Sequence, residues 1–291
     1  MLFVALLPLL PIVSHGIKRF INKYIDPRAS VGVISFKGVL YDSSSYVQCL
    51  QKYFKDDEIK AILLKIECPG SATGTGQALF NEITTLKKHY PKPVIVLTEN
   101  LCASGGYYIA CAADHIVASS MCLVGSIGVT IPYFFELKDF VEQFKIKPVI
   151  LSAGEYKDST NPFTHLTSVQ RQMLQGTIDD AYQHFAADVA KSRNLSMEQL
   201  SEWADGKIFT GAQAKKLGLV DELGSYSDAV NAIKEKAHID TEINWITPPS
   251  KNSIWSWFTS GSEDCGEQSV FSSCVNQACS IVENRYANRL H

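Results

Sequence analysis

The sequence predicts an α/β domain: a mostly parallel sheet wrapped by helices, with a helical C-terminal part. Short apolar runs alternate with helix-period segments from Val31 to Leu151, which is the rhythm of strand-helix-strand units. Several of those runs are continuously apolar, as strands covered on both faces of a parallel sheet must be. Beyond Lys157 the apolar spacing is that of helices alone, with only one short strand pattern near the end.

The chain begins MLFVALLPLLPIV, apolar or proline from Met1 to Val13. That is shorter than the roughly 20 residues a bilayer-crossing helix needs, and Pro8 and Pro11 interrupt it. Its positive charges, Lys18, Arg19 and Lys23, follow the apolar run, whereas a secretory signal carries them first. Residues 1–29 therefore read as an apolar segment with three readings: a membrane-surface anchor, a truncated or misassigned start, or a segment buried in protein. The positive-inside rule would leave the remainder cytoplasmic.

Residues 30–249 form the predicted globular domain. Its strands are expected at Val31–Val39, Ile59–Ile66, Pro93–Thr98, His115–Ala118 and Pro148–Leu151. Helices are expected around Tyr46–Lys55, Gly76–Lys88, Ser104–Ala112 and Tyr133–Phe144. Thr167 with Gln170 makes a capping-box pattern, and Leu174, Ile178, Tyr182, Phe185 and Val189 follow at spacings of three or four, predicting a long amphipathic helix. Ser196/Gln199, Thr210/Gln213 and Ser225/Asp228 mark three further helix starts. Thr241–Ile246 alternates polar and apolar residues and predicts a last strand. Residues 250–291 form a tail rich in Ser, Asn and Cys, with an aromatic cluster at Trp255, Trp257 and Phe258.

Composition removes several function classes. The 291 residues are 46% hydrophobic and 20% charged, with a net charge of −3 and no long basic run. That balance supports a sizeable core and excludes a nucleic-acid binder on electrostatic grounds. Cys265, Cys274 and Cys279 lack the paired spacing of a zinc site. There is no H-E-x-x-H, no P-loop, and no G-x-G-x-x-G after a strand. No metal and no cofactor are therefore expected. Cys49, Cys68, Cys102, Cys111 and Cys122 lie in or beside apolar segments, where a free thiol behaves as a small buried hydrophobe.

The chemistry concentrates in Leu101–Thr130, LCASGGYYIACAADHIVASSMCLVGSIGVT. Ser104 follows a strand and opens a helix, so unpaired N–H groups and the positive dipole end lie beside it. Such a position can hold an activated hydroxyl and a developing oxyanion, although an isolated serine there is more often a plain N-cap. Gly105 and Gly106 would let the backbone turn sharply and a substrate approach closely. The strand Ile59–Glu67 ends in Cys68-Pro69-Gly70-Ser71. Open parallel sheets bind ligands at this carboxyl edge, where the Gly70 and Ser71 amides could donate to a carbonyl oxygen. Ser152–Lys157 follows the strand expected at Pro148–Leu151, at the same edge. Lys157 serves as a base only if burial lowers its pKa, and its neighbours Glu155 and Asp158 oppose that; a solvated loop lysine is the commoner situation. By residue type alone, a triad of Ser104, His165 and Asp114 is also conceivable. Gly125-Ser126-Ile127-Gly128 reads as a tight glycine-bracketed loop near the nucleophile or as a plain turn.

Three ordered motifs carry a family resemblance. ASGGYYIACAADHIVAS followed by GSIGV is similar to the nucleophile region of the signal peptide peptidase A (protease IV) family. GEYKDSTNPF resembles that family's lysine-bearing segment, and DGKIFTGAQAKKLGLVDELGS, Asp205–Ser225, resembles its later helical signature. The resemblance spans about Val31 to Ala237. It implies a ClpP/crotonase-like fold and a serine endopeptidase with Ser104 as nucleophile and Lys157 as general base. Gly70, Ser71 and Gly105 would supply the oxyanion donors, and Gly125, Ser126, Ile127 and Gly128 would contact substrate. It further implies signal peptides or other membrane-proximal peptides as substrates, and a homo-oligomer in which neighbouring protomers share active sites. The location would be the outer side of a bacterial cytoplasmic membrane. Where the family reads Pro-Gly-Gly, this chain reads Pro69-Gly70-Ser71, and the serine Cβ disfavours positive φ. Two other readings suit the same architecture: a crotonase-like acyl-CoA hydratase or isomerase, against which the lysine segment argues, and an inactive membrane scaffold.

Overall fold

The computed structural model describes residues 28–131 and 134–248; the apolar N-terminal run, the Cys-rich tail and its aromatic cluster lie outside them. The central strands are β1 (Ala29–Lys37), β2 (Ile59–Glu67), β3 (Val94–Thr98) and β5 (His115–Ala118). Two short strands, β8 (Glu222–Leu223) and β9 (Ile243–Ile246), flank them. The six form one sheet in the order β8-β5-β3-β2-β1-β9, and every pairing is parallel.

The continuous apolar runs have a simple cause. Ile62, Leu64, Ile66, Val94 and Val96 face one layer with helices α1 (Ser44–Lys55) and α2 (Thr73–His89). Their sequence neighbours Ala61, Leu63, Ile95, Leu97 and Val117 face the opposite layer, closed by Ala229, Ala232 and Ile233 of α8 (Tyr226–Ala237). Successive side chains of a strand point to opposite faces, so a sheet buried on both sides has no polar positions to spare.

A second, three-stranded sheet was not legible in the sequence. In it β4 (Leu101–Ala103) pairs parallel with β6 (Leu123–Gly125), and β6 pairs antiparallel with β7 (Ile208–Thr210). A single parallel bridge between Cys68 and Cys102 joins it to the extension of β2. The Glu67 carboxylate accepts from the Glu99 and Asn100 N–H groups at 2.9 and 3.2 Å, which fixes the turn from β3 into β4.

The helical part follows its predicted caps. Helix α5 (Ser168–Arg193) opens on the Thr167/Gln170 capping box and ends at Asn194 in the left-handed conformation. Only its C-terminal half is sealed, through Phe185, Ala186, Val189 and Ala190. Capping boxes also open α7 (Gly211–Lys216) and α8. At Ser196 the side chain caps Glu198 N–H instead and begins a single 3-10 turn, Met197–Gln199, before α6 (Leu200–Trp203). Arg193, at the end of α5, forms a two-pronged pair with Asp221 at 2.7 and 2.8 Å, and Asp221 also accepts from Ile116 N–H at 2.8 Å. Burial alone would raise the Asp221 carboxyl; the Arg193 guanidinium outweighs it and holds the carboxyl below its ordinary range. This pair ties the helical part to β5.

Two expectations fail between β6 and α5. The helix expected at Tyr133–Phe144 reduces to α4 (Lys138–Gln143). The strand expected at Pro148–Leu151 does not form: residues 146–152 carry no secondary structure, and Val149 and Leu151 are 85% and 95% exposed. Among the described residues its β-favouring side chains meet no strand edge, and a strand without a partner has nothing to pair its backbone.

Candidate active site

Ser104 sits where β4 passes into helix α3 (Gly105–Ala110). Its φ is 50° and its ψ is −125°, a region costly for any residue with a Cβ, by about 1–3 kcal/mol. Surrounding bonds hold it there. Ser104 N–H donates to Gly125 O at 2.7 Å, its carbonyl accepts from Tyr108 N–H at 2.9 Å, and Ala103 N–H donates to Cys68 O at 3.0 Å. The sharp turn therefore falls on the serine and not on the glycines after it.

Gly105 and Gly106 serve close approach. A Cβ on Gly105 would stand 2.0 Å from Ser71 Oγ and 2.7 Å from Ser71 N; one on Gly106 would stand 2.8 Å from Cys68 Cβ and O. The two turns at the carboxyl edge are thereby packed backbone against backbone. Gly70, with φ at +156°, presents its Cα side to Ser104: a Cβ there would lie 3.5 Å from Ser104 Oγ. Ser71 is not among the residues with positive φ, so the Pro-Gly-Ser departure is accommodated without strain. Its hydroxyl donates to Ala72 O at 2.8 Å. Among the described residues, the N–H groups of Ser71 and Gly105 meet no backbone carbonyl, leaving two donors beside the serine.

A cavity of about 440 Å³ opens on this corner, lined by Ser71, Ser104, Gly105, Ser126 and Gly128 among others. Gly125 stays outside the lining and anchors Ser104 through its carbonyl; Ile127 is fully buried in the core. Ser126 N–H donates to Lys207 O at 2.7 Å and Gly206 N–H to Ile127 O at 3.0 Å. The glycine-bracketed loop is thus stitched to the segment before β7. Sequence reading missed the opposite wall, where α5 contributes Asp180, Ala181, His184 and Phe185, and the floor, Gln77 and Tyr108. Asp180 and His184 stand four apart in a helix, a spacing visible in the sequence, but nothing local says that this face meets Ser104.

Tyr108 stacks on Phe185 with ring centroids 4.3 Å apart, and its hydroxyl donates to Asp188 at 2.5 Å. Burial, with Asp188 beside it, pushes the phenol well up. The thiols of Cys68, Cys102, Cys111 and Cys122 are buried packing, and burial pushes Cys68 up to about 11; Cys49 is buried in α1. His165 and Asp114 do not join Ser104. His165 lies between Glu136 (2.5 Å) and Asp139 (3.3 Å), and Asp114 pairs with Lys87 at 2.6 Å; neither lines the cavity.

Lys157 is exposed, in a run of bends and turns from Ala153 to Thr160, with its N–H on Gly154 O at 3.1 Å. It does not line the cavity that holds Ser104. One chain brings together Ser104, Gly70, Ser71 and Gly105, and leaves Lys157 apart.

The sequence model of peptidase family S49 matches residues 87–240, a span that includes Ser104, Lys157 and the α5 wall. The chain belongs to peptidase family S49. That family is one of peptidases, and the parallel sheet of this chain is the ClpP/crotonase-like fold that the motifs implied. A protease-named protein of Methanocaldococcus jannaschii is 36% identical over 198 residues, covering 68% of this chain and 63% of that protein. A protein of Enterococcus faecium, named as a signal peptide peptidase SppA, is 31% identical over 222 residues, covering 74% and 64%. The chloroplastic serine protease SPPA of Arabidopsis thaliana is 30% identical over 209 residues, covering 72% and 30%. The chain thus spans less than two thirds of the length of these relatives. Among the described residues no helix is long and apolar enough to cross a membrane.

Proposed function

We propose that this S49 chain hydrolyses peptide bonds through Ser104, with Lys157 as the general base supplied by a second copy of the chain. The observation that carries the nucleophile is the strained Ser104 backbone, held at a strand-helix junction against the Gly70–Ser71 turn. Strain of this kind persists only where surrounding structure enforces it, and it clusters at reacting residues. The Ser104 oxygen attacks the scissile carbonyl, Ser71 and Gly105 N–H groups stabilise the oxyanion, and neutral lysine takes the hydroxyl proton. As the tetrahedral intermediate collapses, the scissile C–N bond breaks and the lysine gives that proton to the leaving amine. The neutral lysine then takes a proton from water, whose oxygen attacks the acyl-enzyme and frees Ser104.

Supply of Lys157 from a second copy is supported by its position outside the cavity, six residues after the exposed apolar run Val149, Ile150 and Leu151. Contact with another protomer would cover those residues and bury the lysine, and burial lowers a lysine pKa toward neutrality. The peptide would lie extended along the cavity. Signal peptides and other membrane-proximal peptides are the substrates proposed, on the strength of the Enterococcus relative's name; membrane association through the N-terminal run belongs to the same proposal. Ser104→Ala and Lys157→Ala are each expected to abolish hydrolysis of a fluorogenic peptide while retaining the fold. Mixing and co-refolding the two inactive variants should restore activity, because intact serine and intact lysine then meet across an interface. Continued inactivity of the mixture would overturn the shared site, and full activity of Ser104→Ala would overturn the nucleophile.

A further inference from the structure

The cavity beside Ser104 has two unlike walls. One side presents hydroxyls and amides from the Ser71 and Ser104 turns; the other presents Asp180 and His184, one turn apart on α5. Asp180 is the only carboxylate among the described residues lining the cavity, which include no lysine and no arginine. Neighbouring carboxylates of the same helix are already engaged within the chain. Asp188 accepts from Tyr108 at 2.5 Å, and Asp179 accepts from Gln175 at 2.7 Å. Among the described residues Asp180 has only His184 Nε2, at 3.9 Å, beyond hydrogen-bond reach. Its side chain is 79% exposed and that of His184 66%, so the carboxylate holds nothing in place and faces an open cavity.

We infer that Asp180 is a specificity-determining residue that recognises a basic side chain, Lys or Arg, of the peptide lying in this cavity. The inference rests on the reading of Ser104 as nucleophile, since that makes the cavity a substrate site. A bound peptide displaces water from the wall, and a carboxylate that accepts no hydrogen bond from within the described residues then gains most from a cation on the ligand. An arginine fork can engage both carboxylate oxygens at once; a lysine engages as a point charge. An aliphatic residue of equal length fills the same space without the pair.

The test uses the full chain and internally quenched peptides that are identical except for Lys, Arg, norleucine or Glu at one position, scanned along both sides of the scissile bond. At one position the wild type is expected to cleave Lys and Arg peptides with kcat/KM about 2- to 5-fold above norleucine, mainly through KM, the size of an exposed ion pair. Raised salt should shrink that ratio. Asp180→Asn should bring Lys and Arg peptides down to the norleucine level, and Asp180→Lys should move the preference to Glu. An unchanged ratio in Asp180→Asn, or an equal fall for every peptide through kcat, would overturn the inference; the second result would make Asp180 a contributor to the machinery or to a neighbour's lysine. Ser104→Ala serves as the separate control: its residual cleavage tests the nucleophile and leaves the Asp180 ratio independently readable.

Discussion

The nucleophile corner and the lysine segment are presented by the same chain, yet they are built in opposite ways. Around Ser104 nearly everything is buried: Cys102, Ala103, Gly105, Tyr107 and Tyr108 lie inside, and a strained dihedral is held by bonds from β6 and β2. Around Lys157 almost nothing is: Val149, Leu151 and Tyr156 are exposed, and the segment is held by its own turns and by Ser159 donating to Tyr156 O at 2.8 Å. On the proposed reading, a single chain would complete half of a catalytic site and display the other half. Rigid preorganisation is needed where charge develops, whereas a base delivered by a partner need only be positioned after assembly.

The most severe way to break the ordered half is Gly105→Ala. Its Cβ would fall 2.7 Å from the Ser71 backbone nitrogen, so the Ser71 turn, the proposed oxyanion donor, must move away from Ser104. Displacing one such donor costs about 100- to 1,000-fold in kcat; Lys157→Ala remains its counterpart in the other half. Steady-state kinetics on the purified variant measure this, and unaltered kcat would remove Gly105 from the donor set. Second in size is Arg193→Met, which leaves the Asp221 carboxylate without its partner at the seam between α5 and β5. Removing one partner of a largely buried pair costs about 2–4 kcal/mol, readable as a shift in the urea midpoint. The Asp221 carboxyl is held below its ordinary range, so the stability it contributes is present at neutral pH and is lost as pH falls through the folded value. Wild type and Arg193→Met should therefore converge in acid.

What the sequence makes legible follows the same division. The parallel core, the capping boxes at Thr167, Thr210 and Ser225, and the strand-to-helix junction at Ser104 are all specified by neighbours in the chain, and each is found where its residues predict it. The sharp turn at that junction, however, falls on Ser104 itself and not on Gly105 or Gly106. The three-stranded sheet escapes because its strands are three residues each, and β7 reaches β6 only from a distant part of the chain, as Ile208 does Gly125. The α5 wall escapes because Asp180 meets the cavity only through tertiary packing. Pro148–Leu151 is the instructive failure: its residues favour a strand, but pairing requires an edge, and the composition of a segment cannot say whether the same chain offers one.

A smaller effect runs in the stabilising direction. Ser104→Gly removes the Cβ from a residue at φ 50°, relieving about 1–3 kcal/mol of strain while adding about 0.5–1 kcal/mol of unfolded-chain entropy. The variant should be inactive and more stable than wild type by about 1 kcal/mol. A thermal midpoint equal to or below that of wild type would mean that the serine backbone is not strained in solution.

The mildest change falls on the displayed half and separates fold from assembly. Leu151 is 95% exposed and touches no buried cluster, so Leu151→Ser should alter single-chain stability by less than about 0.5 kcal/mol. If this segment seats against a second copy, however, replacing its most exposed apolar residue removes contact area from the interface that carries Lys157. Sedimentation should then show a population shifted toward monomer at low concentration. Hydrolysis should fall in step with it and recover as concentration rises, since mass action restores the assembly. An exposed apolar residue with no partner would change neither quantity. Assembly and activity that are both unaltered would assign Leu151 to ordinary surface, and the delivery of Lys157 would have to be sought in a rearrangement within one chain.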